Sequence, residues 1–201
     1  MKLTVPFYIQ GINECGPTTL QMALEFLGKK LDKEQIKKLV DSDYSGITLT
    51  MGLAKAAAQL GLKTEFYSVS LGFNTKNFDH EFYQKLTDGA DSMKKKILEL
   101  TKECLKHGVK FEERSILLNE LLSKVSNDCI PIVLIDWGKV INAGKFIGHF
   151  VPIVGYDEKN VYIHQPGPKD PAAYFPVEKS LFDSARKASG TDEDLVFVYR
   201  P

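Results

Sequence analysis

The run Cys15-Gly16-Pro17-Thr18-Thr19-Leu20-Gln21-Met22-Ala23-Leu24-Glu25-Phe26-Leu27-Gly28 constrains this chain more than any other stretch. Pro17 suits a first helical turn, where a missing N–H costs nothing, and Leu20, Ala23, Leu24 and Leu27 recur on one helical face. Gly28 is a natural stop. The pattern predicts a helix with one buried face and a thiol at its N-terminal end. Unpaired backbone N–H groups and the positive end of the helix dipole favour a thiolate there, so the expected Cys15 pKa lies below the free value of about 8.5. A cysteine at this place is also compatible with plain burial as a small apolar residue. The rest of the chain decides between the two.

A length of 201 residues suits one domain spanning 1–201. Lysine plus arginine and aspartate plus glutamate both number 26, so the formal charge is zero and nothing marks a nucleic-acid or anionic-membrane partner. The three cysteines, Cys15, Cys104 and Cys129, form no CxxC pair, which argues against a disulfide framework and a thiolate metal site. The N-terminal residues lack the apolar core of a secretory signal, and no apolar run is long enough to span a bilayer. The expected compartment is the cytoplasm, and no metal or organic cofactor is implied.

Helices come first. A short strand is expected over residues 4–9, then the Cys15 helix, a second helix capped by Asp32 and running through Val40, and a third from Thr48 to Leu60 closed by Gly61. A strand follows from Leu62 to Val69. Residues 70–113 differ in character: a turn-rich segment from Gly72 to Phe78 leads into a charged amphipathic stretch with Met93, Ile97, Leu98, Thr101 and Leu105 on a stripe. This is expected to be a helical insertion at about 70–113, able to serve as a docking surface for a partner protein. Its Lys94-Lys95-Lys96 run reads as a solvated face. Ser115 to Val125 gives another helix, and Cys129 to Trp137 is apolar enough to be a strand buried on both faces. Strands at 150–156 and 160–164 flank the turn Asp157-Glu158-Lys159; a helix near 177–188 and a last strand at 195–199 follow. The fold class is α+β, with helices packed on a later antiparallel sheet.

A thiol nucleophile needs a base, a group orienting that base, and donors for an oxyanion. His149 stands at the entry to a buried hairpin, and Gln10 precedes the cysteine by five residues. Gln10 with Cys15-Gly16-Pro17-Thr18, Gly148-His149-Phe150-Val151 with Val154-Gly155-Tyr156-Asp157, and Val161-Tyr162-Ile163-His164-Gln165-Pro166 together resemble the bacteriocin-leader (double-glycine) peptidase-like branch of the papain-like cysteine peptidases. The likeness covers most of the chain outside 70–113. It implies a papain-like fold, Cys15 as nucleophile, His149 as general base and acid, and Gln10 as a side-chain donor to the oxyanion beside the Cys15 backbone N–H. The third position departs from the pattern, since Gln165 stands where that family usually has Asp or Asn. A glutamine carbonyl accepts from imidazole and fixes its tautomer but does not stabilise imidazolium as a carboxylate does.

The function expected is a cysteine-dependent peptidase, amide hydrolase or acyl transferase working through a Cys15 thioester on a peptide or small amide or thioester substrate. The alternative is a non-catalytic peptide-binding module on the same fold. Among the remaining residues, Asp136 and Trp137 end a strand near the expected cleft, His164 alternates to the face opposite Gln165, His80 and His107 lack metal-ligand spacing, and Cys104 and Cys129 fall on apolar faces.

Overall fold

The computed structural model describes residues 1–41, 47–72 and 74–201; Phe73, within the turn-rich stretch, lies outside the described residues. The Cys15 run folds as helix α1 (Cys15–Phe26), with Leu20, Ala23 and Leu24 inaccessible to solvent. Asp32 caps α2 (Lys33–Leu39) through a reciprocal capping box with Gln35. Helix α3 (Thr50–Gln59) is buried along nearly its whole length. Strand β1 (Lys63–Ser68) follows, then a 3-10 turn (Thr75–Asp79), α4 (Glu81–Leu86), α5 (Ala90–Lys106), β2 (Lys110–Glu113) and α6 (Leu118–Ser123). The C-terminal half consists of β3 (Cys129–Asp136), α7 (Trp137–Val140), β4 (Gly148–Tyr156), β5 (Asn160–Gln165), β6 (Ala172–Glu178), α8 (Lys179–Arg186) and β7 (Leu195–Tyr199).

The seven strands form one sheet in the order β2-β1-β7-β3-β4-β5-β6. Every pairing is antiparallel except β1 with β2, which run parallel. Strand β3 lies at the centre and all eight of its residues are buried, as its unbroken apolar run requires. Helix α1 packs on β3 and β4, α3 on β1 and β7, and α8 on β3, β5 and β6. The Thr19 hydroxyl on α1 donates to the Phe150 carbonyl at 3.1 Å, fixing the cysteine helix to the strand that carries His149.

Four local expectations change. Residues 4–9 form no strand; the chain instead makes a single bridge, Lys2 to Gly155, with the Leu3 N–H on the Val154 carbonyl at 2.8 Å. This first segment crosses β4 so closely that a Cβ on Gly155 would sit 2.4 Å from the Met1 carbonyl oxygen. Strand β2 ends the 70–113 segment, although Lys110-Phe111-Glu112-Glu113 reads as a solvated surface; it is an edge strand, where charge is tolerated and guards against further pairing. Strand β6 is the opposite edge and contains Pro176, whose missing N–H hides a strand in the sequence but does not harm an edge. On α5 the buried residues are Met93, Leu100 and Cys104, while Leu98 and Leu105 are exposed. Positions 93, 97, 100 and 104 follow the 3.6-residue period, and 98 and 105 lie off it.

Candidate active site

Cys15 is the first residue of α1 and is half-buried at one wall of a cleft of about 730 Å³. His149 is the second residue of β4, and Gln165 the last of β5; both are buried and line the same cleft. Paired strands bring His149 and Gln165 together: the His149 Nε2 and the Gln165 Oε1 are 3.0 Å apart. The rest of the glutamine fixes the sense of that bond. Its Nε2 donates to the Lys169 carbonyl at 2.8 Å and the Asp170 carbonyl at 3.2 Å, and its Oε1 also accepts the Gly167 N–H at 2.7 Å. Gln165 therefore faces the imidazole as an acceptor, His149 carries its proton on Nε2, and Nδ1 is left with a lone pair.

Burial drives the electrostatics. It holds the His149 pKa down to about 4 against the smaller upward effect of Gln165. It also pushes the Cys15 thiol up, opposed by the backbone N–H groups of Phe150, Gly16 and Cys15 itself. The lowered thiol pKa expected from the helix terminus is thus reversed: the N–H groups are present, but desolvation outweighs them. Both groups are neutral near pH 7 in the cleft. The Phe150 N–H acts on the thiol pKa, so the thiol lies near the backbone of the residue after His149.

Gln10 is 8 % exposed, and its Nε2 uses one hydrogen on the Gly11 carbonyl at 3.2 Å. The second hydrogen remains for a ligand, and its Oε1 has no partner among the described residues. Trp137 lines the cleft with its ring 5.6 Å from the His149 ring, and Phe175 stacks edge-on behind it. Asp136 accepts the Ile147 N–H at 3.0 Å and so shapes the turn that delivers Gly148 and His149. His164 is fully buried on the other side, its Nε2 on the Val5 carbonyl and its Nδ1 accepting the Tyr174 N–H. Cys104 and Cys129 are buried and their thiols are pushed up to about 12 by desolvation. Sequence reasoning missed Thr48, Thr50, Tyr83, Asp192 and Asp194, all of which line the cleft. No spacing signal marks them, because they lie on loops and element ends that only the tertiary fold brings to the thiol. Among the described residues no group of three or more His, Cys, Asp or Glu side chains converges as a metal site requires, and no helix is long and apolar enough to cross a membrane.

The family model described as guanylylate cyclase matches residues 5–198. The chain belongs to the guanylylate cyclase family. Within reach of it, Guanylyl cyclase 1 of Arabidopsis thaliana is 23% identical over 200 residues, covering 92% of this chain and 71% of the plant protein. The fold is shared with papain-like double-glycine peptidase domains. The double-glycine-motif protease of an AMS/PCAT transporter, solved in complex with the leader peptide, matches with a TM-score of 0.57 at 17% identity, covering 98% of this chain and 94% of that one. The peptidase domain of Streptococcus ComA, a bifunctional ABC transporter of a quorum-sensing pathway, matches with a TM-score of 0.54 at 16% identity and 98% coverage of both. The peptidase resemblance legible in the sequence is therefore a likeness of fold, while the family match carries a cyclase name that the motifs did not suggest.

Proposed function

We propose that this member of the guanylylate cyclase family is a cysteine-dependent amide hydrolase, with peptides as its substrate class. The observation that carries the reading is the His149–Gln165 hydrogen bond at 3.0 Å, which leaves Nδ1 as a base in the cleft that holds the Cys15 thiol. His149 takes the thiol proton as sulfur attacks the carbonyl carbon, and the Gln10 Nε2 and the Cys15 N–H receive the oxyanion. The imidazolium then gives its proton to the leaving amine, and water, deprotonated by the same imidazole, resolves the thioester. Because both groups rest neutral, transfer is coupled to attack rather than completed beforehand, which suits an orienting glutamine better than a charged partner. A fold neighbour bound to a leader peptide supports an extended peptide in the cleft.

The cyclase activity named for the family and for the Arabidopsis relative is the second reading. It asks the cleft to neutralise a triphosphate, and Lys169 is the cationic residue among the described residues lining it, while Asp192 and Asp194 oppose phosphate. One experiment separates the two. A fluorogenic peptide-amide library and GTP with Mg²⁺ or Mn²⁺ are each incubated with the full chain and with Cys15→Ala, and products and acyl-enzyme are read by mass spectrometry. The hydrolase reading expects amide turnover and an acyl adduct on Cys15, both lost in the variant. Cyclic GMP formed equally by both proteins, with no amide turnover, overturns it.

A further inference from the structure

Away from the thiol the cleft is also lined by residues of β1, α3, α4 and the turn before β7. There Asp194, half-buried, lines the cleft, and the hydroxyls of Thr50 and Ser68 hydrogen-bond its carboxyl and partly offset its desolvation. Asp192 lines the same part, its carboxylate held by the Asn74 and Asn77 amides at 2.6 and 2.7 Å. No lysine or arginine faces Asp194 among the described residues, and the undescribed positions 42–46 and 73 hold no basic residue in the sequence. Met51, Met93, Ile97 and Phe66 give this part apolar walls. Thr48, 8 % exposed, also lines the cleft, and its Oγ1 is shut off from solvent with no partner among the described residues.

We infer that this part of the cleft is a specificity subsite for a cationic side chain, a lysine or arginine of the substrate, with Asp194 receiving its charged head. The inference rests on the peptide reading given above and adds the substrate class. Sheet register gives the distance. Leu134 donates its N–H to the Asp194 carbonyl and is paired with Phe150, whose N–H acts on the Cys15 thiol. Two strand spacings separate Phe150 from Asp194, roughly 10 Å. That is the combined reach of a backbone residue and a four-carbon stem, so the basic residue lies next to the scissile bond. The stem runs along the methionine and isoleucine walls, as long basic side chains do. Desolvation raises the Asp194 pKa to about 8, with Asp192 adding to it, so an empty subsite holds a neutral acid. A cation displaces that proton and replaces a desolvated acid by a charge-assisted pair. Among the described residues the titratable neighbours that share the field are Asp192 and, from α4, Tyr83, whose pKa burial pushes up, with the two aspartates adding to it.

The test uses the full chain carrying Cys15→Ala, so that binding is read without turnover and failure of the nucleophile assignment leaves the result untouched. Three capped pentapeptides, alanine throughout except for a central lysine, norleucine or glutamate, are titrated calorimetrically. At about pH 8.5 the lysine peptide is expected to bind about tenfold tighter than its norleucine isostere. The advantage shrinks at about pH 6.5, where binding must expel the Asp194 proton while lysine stays charged. Asp194→Asn brings the ratio to about one. Equal affinities in the parent, a lysine advantage that survives Asp194→Asn, or no binding of any peptide overturns the inference. Should Asp194→Asn not fold, the pH dependence of the parent decides by itself.

Discussion

Gln165 is held at both ends of its amide, with Nε2 on two carbonyls and Oε1 on the Gly167 N–H and His149. A free glutamine turns its amide either way; this one has no freedom to do so. The His149 proton is therefore on Nε2, and long-range nitrogen-15 NMR of the imidazole is expected to show the Nε2–H form at neutral pH. An Nδ1–H signal instead would remove the base from the thiol. Cys15 makes the complementary prediction. With its thiol raised by burial, iodoacetamide labelling of Cys15 stays slow at neutral pH and rises only above the free thiol pKa of about 8.5. Fast labelling at pH 6 would show a preformed ion pair. The residue types at this site were legible in the sequence, since Cys15, His149 and Gln165 sit in quotable motifs. The sign of the thiol shift was not. It depends on how much protein encloses the sulfur, which a helix-terminus argument omits.

Helix α1 and the N-terminal end of α3 meet at Gly16, where a Cβ would lie 2.8 Å from the Thr48 Cβ and Cγ2. Both contacts are with a β-branched side chain that has little room to turn, so one methyl group must part the two elements. Gly16→Ala is expected to cost about 1–3 kcal/mol in denaturant unfolding, the range for overpacking a tight contact. Asp32→Ala, which removes the capping box of α2 at an exposed helix start, should cost about 1 kcal/mol. If the two losses rank the other way, Thr48 yields more than its geometry implies. The same contrast explains which elements were legible beforehand. Helix α2 announces itself by its Asp32 cap, α1 and α3 by an apolar stripe ending at Gly28 and Gly61, and β3 by an unbroken apolar run. Strands β2 and β6 do not, because an edge strand is recognised by its neighbour and these two carry charge and a proline instead of alternation.

At the scale of the molecule, two desolvated groups set opposing pH dependences. His149 has its pKa lowered from 6.5 to about 4, so folding binds its proton less well and stability is lost as pH falls through that interval. Asp194 has its pKa raised from 3.8 to about 8, so the folded state holds a proton that the unfolded chain releases. Its contribution is complete below about pH 4 and is lost as pH rises to about 8. From about pH 4 to 6.5 these two slopes cancel, and His164, whose pKa burial also lowers, adds a further loss of stability as pH falls below 6.5. Above 6.5 these histidines no longer titrate in either state, and Asp194 acts alone over about one and a half pH units. At about 1.4 kcal/mol per unit, stability should fall by about 2 kcal/mol between pH 6.5 and 8. The carboxylates lowered by ion pairing, Glu14, Glu65 and Glu120, titrate below this window. Urea unfolding midpoints at half-unit pH intervals give the measurement, with Asp194→Asn as its comparison. The parent should decline across the window while the variant stays level. A flat parent profile would mean that Asp194 is already ionised in the folded chain, and its part of the cleft would then be open to water.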